Sequence, residues 1–96
     1  MATTRDLAAV KQVLEKALAK LSPEVRVEES HVNGYLHVYV LSEAFQKMSY
    51  RRRDKVVWEA LKSALSHQPI YPKITSVFPL TFVEYEEDYG PVPAAS

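Results

Sequence analysis

The sequence predicts a single α+β domain whose elements run helix, strand, strand, short helix, long helix, strand. Three observations carry this expectation. Leu7, Val10, Leu14, Leu18 and Leu21 recur at spacings of three and four, the signature of one apolar helical stripe. Asn33-Gly34 then joins two stretches of alternating apolar and polar residues, and this dipeptide suits a tight hairpin because both positions tolerate positive φ. A second helical pattern, over about 50–66, separates that hairpin from a last extended segment. A chain of 96 residues can build one small core. The expected architecture is therefore a three-stranded mixed sheet with helices on one face, built from residues 1–89.

The first helix is expected from about Thr4 to Leu21, capped by Thr3 or Thr4 and with Asp6 in its first turn. Ser22-Pro23 ends it, because the residue before a proline is disfavoured in the helical region. The strands are expected over 24–32 and 35–41. A two-residue turn at Asn33-Gly34 sets Val32 opposite Tyr35, Ser30 opposite His37 and Val27 opposite Val40. Val25, Val27, Leu36, Val38 and Val40 then share the core face, with Glu29 and His31 towards its end. Arg26, Glu28, Ser30, Tyr35, His37, Tyr39 and Leu41 share the other, with Leu41 the exception expected to tuck under the following helix.

Ser42 reads as the cap of a short helix through about Lys47, and Ser49 as the cap of the long one. Tyr50, Val57, Leu61, Ala64 and Leu65 are expected on the inner face of the long helix, with Trp58 beside them. Pro69 and Pro72 bracket a loop. The last strand is expected over about 73–80, with Pro79 marking an edge or an end. Residues 81–89 are acidic and aromatic and are expected to form one helical turn. The tail from Gly90 to Ser96 holds two prolines and small residues and is expected to be disordered or extended.

Composition narrows the function. Twelve basic residues balance twelve acidic ones, which argues against wrapping nucleic acid by bulk charge but not against a local patch. Without cysteine the chain has no disulfide, no zinc-thiolate site and no catalytic thiol. No apolar run approaches the roughly 20 residues of a membrane span, and the N-terminus lacks a signal-peptide core, so a soluble, cytoplasmic protein is expected. Enzymatic chemistry finds no support. There is no Gly-rich phosphate loop, and Glu28 and Glu29, adjacent on a strand, face opposite sides.

Three stretches carry a resemblance to a known family. They are Tyr35-Leu36-His37-Val38-Tyr39-Val40-Leu41-Ser42-Glu43-Ala44-Phe45, the ungapped run from Phe45 to Leu61, and Pro79-Leu80-Thr81-Phe82-Val83-Glu84-Tyr85. Together they resemble the BolA family, whose fold is a type II KH-like α-β-β-α-α-β domain. The resemblance covers roughly 6–85. It implies a small non-catalytic interaction module, with roles in iron–sulfur cluster biogenesis, stress response and transcription regulation. The implied partner is a monothiol glutaredoxin or another iron–sulfur or redox trafficking protein, with a [2Fe-2S] cluster shared between the two. The departures fall on the implied ligands. Arg53 and Lys55 match the two Arg of the family's Arg-His-Arg triplet, but Asp54 replaces its His. Tyr71 stands near the family's invariant His before the last strand, and the Gly of its Phe-x-Gly-Lys turn is missing from Phe45-Gln46-Lys47-Met48.

Three candidate constellations follow. Arg51, Arg52, Arg53 and Lys55, with Lys47 near, form a basic patch suited to an acidic partner or to phosphate. With Tyr71 they are the candidate partner-binding residues. The same patch supports the alternative of a nucleic-acid-binding transcriptional regulator. His31 is the candidate metal or cluster ligand, and His67, four residues before Tyr71, is the replacement for the missing one. Three ordinary histidines are the stronger reading of His31, His37 and His67. Tyr35, His37 and Tyr39 form an aromatic row that resembles a base-stacking platform but is better explained by β propensity. A monomer or weak homodimer is expected.

Overall fold

The structure is a computed structural model and describes residues 4–30 and 34–89. Helix α1 (Thr4–Ala17) leads into a 3-10 turn at Ala19–Leu21 and then into strand β1 (Glu24–Glu29). Strand β2 (Leu36–Leu41) is followed by a 3-10 turn at Glu43–Lys47 and helix α2 (Tyr50–Leu65). A third 3-10 turn at Tyr71–Lys73 precedes strand β3 (Ile74–Leu80) and helix α3 (Phe82–Tyr89). The strands are ordered β1-β2-β3, with β1 antiparallel and β3 parallel to β2. This is the expected mixed α+β sheet. The Thr3 cap and the tail from Gly90 lie outside the described residues, and no described helix is long and apolar enough to cross a membrane.

The apolar stripe of α1 is the one expected: Val10, Leu14 and Leu18 are buried, and Leu7 and Leu21 pack against them. The helix stops at Ala17 rather than Leu21. The chain tightens there, and Ser22 takes a left-handed conformation (φ 46°, ψ 54°) ahead of Pro23. Such a conformation costs a non-glycine residue about 1–2 kcal/mol. The turn leaves the Leu21 carbonyl accepting a hydrogen bond from the Ser42 hydroxyl at 2.5 Å.

The hairpin register differs from expectation by two residues. Val27 pairs with Val38, not Val40, and Glu29 pairs with Leu36. The Ser30 N–H donates to the Tyr35 carbonyl, so the connection spans 31–34 instead of two residues, with Gly34 at φ 69°. Residues 31–33, and with them His31, lie outside the described residues. A slip of two leaves every side chain on its expected face, because the strand period is two. Val25, Leu36, Val38 and Val40 accordingly lie in the main core with α1 and α2.

The other face is where the fold departs from the sequence reading. Residues 82–89 form two turns of helix instead of one, and α3 covers the sheet face opposite α1 and α2. Tyr39, Leu41, Leu80 and Tyr85 make a second, smaller core there, with Phe78 and Phe82 packed against it. Leu41 therefore sits under α3 rather than under the helix that follows it. Tyr39 stacks on Phe78 at 4.9 Å and meets Tyr85 edge-on at 5.8 Å. Contacts of this kind contribute about 0.5–1.5 kcal/mol beyond burial. The aromatic row is interior structure at Tyr39, which is only 7% exposed, and not a stacking platform.

Ser42, fully buried, joins three segments where β2 ends. Its hydroxyl donates to Leu21 and accepts from the Ala44 N–H at 3.2 Å, as its reading as a cap requires. Its own N–H donates to the Leu80 carbonyl at 3.0 Å. Ser42→Ala strands the Ala44 N–H and the Leu21 carbonyl and is expected to cost about 1–3 kcal/mol. Urea unfolding should show a lower midpoint at unchanged slope. An unchanged midpoint would mean that water replaces both bonds.

Candidate functional site

The basic segment at the start of α2 separates into two groups. Ser49 caps the helix as expected, accepting from the Arg52 N–H at 3.2 Å. The positions on the inner face are Arg53, Val57, Leu61 and Leu65, spaced by four. Arg53 thus occupies the place expected for Tyr50, which is 55% exposed, and Ala64 is exposed as well. The expectation that Arg53 belongs to the surface patch is corrected: it is 5% exposed and faces the interior. Its spacing of four from Val57 was the signal in the sequence.

A buried guanidinium needs partners for its donors. Arg53 Nε donates to the Met48 carbonyl at 3.1 Å. Nη1 donates to the Pro79 carbonyl at 3.3 Å and to Glu84 Oε1 at 2.6 Å. The charge also lies over the rings of Phe45 and Tyr50, at 5.8 Å and 5.3 Å. Glu84 is held from its other side. Its Oε1 accepts the Thr81 N–H at 2.8 Å, and its own N–H donates to Thr81 Oγ1 at 3.2 Å. Thr81-Phe82-Val83-Glu84 is therefore a capping box that starts α3. The Thr-x-x-Glu spacing announces it in the sequence, where residues 81–89 read only as an acidic turn. The Arg53 hydrogen bond, followed by the Thr81 N–H, holds the Glu84 carboxyl below its ordinary range.

With Arg53 in the interior, the exposed cations on this part of α2 are Arg51, Arg52 and Lys55. They flank a shallow cleft with Val56 and Glu59, and Lys55 lies 4.0 Å from Glu59. That pair is largely exposed and contributes little to stability. Tyr71, half-buried on the 3-10 turn before β3, meets Trp58 of α2 edge-on at 6.4 Å. The structure therefore places Tyr71 beside α2, but against Trp58 rather than among the arginines.

The histidine expectations fare differently. His67 is exposed just beyond α2, and His37 is half-buried with its ring edge-on to Phe78 at 6.1 Å. Among the described residues no three His, Cys, Asp or Glu side chains converge as a metal site would require. His67 and Tyr71, four residues apart in the chain, offer an exposed imidazole and a phenol, and of the two only the imidazole is a usual ligand of cluster iron.

Solved structures with the same fold give this geometry a context. BolA1 from Arabidopsis thaliana superposes with a TM-score of 0.61 at 21% identity, over 86% of this chain and 98% of that one. BolA1 from Mus musculus gives 0.62 at 26% identity, over 98% and 81%. A BolA homologue from Coxiella burnetii gives 0.55 at 28% identity, over 90% and 99%. No family model matches the chain, and no curated protein does. The BolA resemblance read from the sequence thus holds across the whole fold.

Two consequences can be measured. Glu84 has a depressed folded pKa, so its contribution is complete above its ordinary value of 4.5 and is lost as the pH falls through the folded value. Glu84→Gln should remove that portion of the acid destabilisation, seen as a flatter dependence of the urea midpoint on pH below that value. A double-mutant cycle with Arg53→Met and Glu84→Gln should give a coupling of about 0.5–3 kcal/mol. Additive effects would show that the pair does not tie α2 to α3.

Proposed function

We propose that this BolA-like chain is a non-catalytic protein-interaction module that pairs with a monothiol glutaredoxin or a similar iron–sulfur or redox trafficking protein. The observation that carries the reading is the division of labour in α2. Arg53 is spent on the interior, while Arg51, Arg52 and Lys55 stay exposed around a shallow cleft. Cations in the first turn of a helix oppose its dipole, by about 0.3–1 kcal/mol each when exposed. Arg53 offsets that cost through the core; Arg51 and Arg52 have no ion pair among the described residues, and an acidic partner surface would supply one. The cleft fits the same reading, because three of its five lining residues are cations that a carboxylate-bearing surface could meet.

Pairing without cluster transfer suits the residues better than pairing with it. The family resemblance sets the cluster ligand near Tyr71, whose ring packs against Trp58. A nucleic-acid regulator would use the same three cations, but it would have neither Arg53 nor an open aromatic row to stack bases on.

Anaerobic mixing with a cluster-loaded monothiol glutaredoxin tests the proposal. The expected result is a heterodimer whose visible spectrum matches that of the glutaredoxin alone. Arg51→Glu with Arg52→Glu should weaken it by at least about tenfold, with a reduced dependence on salt. Absence of a complex at low salt would overturn the glutaredoxin assignment. Salt-sensitive binding of an oligonucleotide, with no heterodimer, would move the function to nucleic acid.

A further inference from the structure

A groove of about 950 Å³ runs between the end of α1 and the start of α2 and shares only Arg52 and Val56 with the cleft just described. Four cations stand on its rim, Lys16, Lys20, Lys47 and Arg52, and no acidic residue lines it. Elsewhere the described cations near carboxylates are paired: Arg26 with Glu24, Arg53 with Glu84, Lys55 with Glu59. None of the four rim cations takes part in an ion pair among the described residues. Lys16 and Lys20 suit the C-terminal end of α1. Lys47 ends the 3-10 turn before α2, and Arg52 lies in the first turn of α2, where the helix dipole favours negative charge. The groove therefore concentrates positive charge that no ion pair among the described residues compensates.

The floor sets the second requirement. Leu21, Met48 and Val56 are half-buried and present aliphatic surface to the groove. No aromatic side chain lines it, so nucleobases would find nothing to stack on. A free phosphate or another small anion would use the rim and leave the floor wet. We propose that this groove is a docking site for a linear acidic segment of a partner protein, in which Asp or Glu side chains flank an aliphatic anchor. The anchor lies on Met48 and Val56 while the carboxylates meet the four rim cations, a division between burial and charge common in peptide recognition. This inference rests on the interaction-module reading and adds to it a second contact region and the chemistry of its occupant.

The test uses the full chain and a fluorescein-labelled peptide of glutamates interrupted by two leucines, read by anisotropy. Binding is expected at low salt. Lys20→Glu with Lys47→Glu should weaken it by at least about tenfold, and Met48→Ser by a smaller factor that persists at high salt. Lys11→Glu, away from the groove, should change nothing. Lys20 and Lys47 are exposed and in no ion pair among the described residues, so the double variant should melt close to the wild type. No binding would overturn the proposal, as would equal binding of a peptide with glutamines in place of the leucines, or tighter binding of an oligonucleotide of equal charge. Self-association of the wild type that Lys20→Glu with Lys47→Glu abolishes would assign the groove to a second copy and overturn the partner form. A glutaredoxin heterodimer that the double variant leaves intact, with no peptide binding, would sink the groove alone. Peptide binding without any glutaredoxin complex would sink the glutaredoxin assignment alone.

Discussion

Arg53 is a permanent charge in an almost fully buried position, and the packing of α2, β3 and α3 depends on how that charge is satisfied. Its three acceptors come from separate segments: Met48 just before α2, Pro79 near the end of β3, and Glu84 in the first turn of α3. Removing such a group strands its partners, because carbonyls and a carboxylate that faced a guanidinium would face an apolar side chain or a cavity. The Pro79 carbonyl and the Glu84 carboxylate lie five residues apart where β3 turns into α3, and both meet Nη1 of Arg53 from α2. One buried donor thus links the long helix to the order of the sheet and to the element that closes its second face.

The central strand explains why that second face must be closed. All residues of β2 except His37 are buried, so apolar side chains leave it in both directions. Val38 and Val40 meet α1 and α2 on one side, and Tyr39 and Leu41 meet α3 on the other. An eight-residue helix is too short to be stable alone in water. It persists because Thr81 and Glu84 cap its start, Tyr85 packs onto Tyr39, and Arg53 holds the capping carboxylate. Local hydrogen bonding and long-range charge pairing therefore act on the same residue, Glu84.

The surface left over is uneven in charge although the whole chain is neutral. The acidic residues of α3 and the basic residues around the start of α2 form separate runs in the sequence, and among the described residues the Arg53–Glu84 ion pair joins the two segments. Arg51, Arg52 and Lys55 on one side of α2, and Lys16, Lys20 and Lys47 on the other, leave a band of solvated cations around its first turns. Arg52 belongs to both sides. A protein with this distribution can attract acidic partners by steering without a net charge to repel copies of itself.

Much of this was legible in the order of residues. The stripe of α1, the caps at Ser42 and Ser49, the core face of the hairpin and the edge position of Pro79 follow from local rules of period, capping and backbone geometry, and the structure keeps them. The hairpin register was legible only to within two residues, since the apolar pattern fixes which face a side chain takes but not which partner it meets. The candidate site was legible as a cluster of charge and not as a division within it. Three consecutive arginines look alike in sequence, yet Arg53 falls on the buried stripe and Arg51 and Arg52 do not. Composition and periodicity by themselves determined an α+β domain with a basic segment at the start of its long helix. Only tertiary structure decided that α3 covers the opposite face and that Arg53 is interior. The reason is that both depend on an acceptor 31 positions away in the chain, and no local pattern carries a contact at that separation.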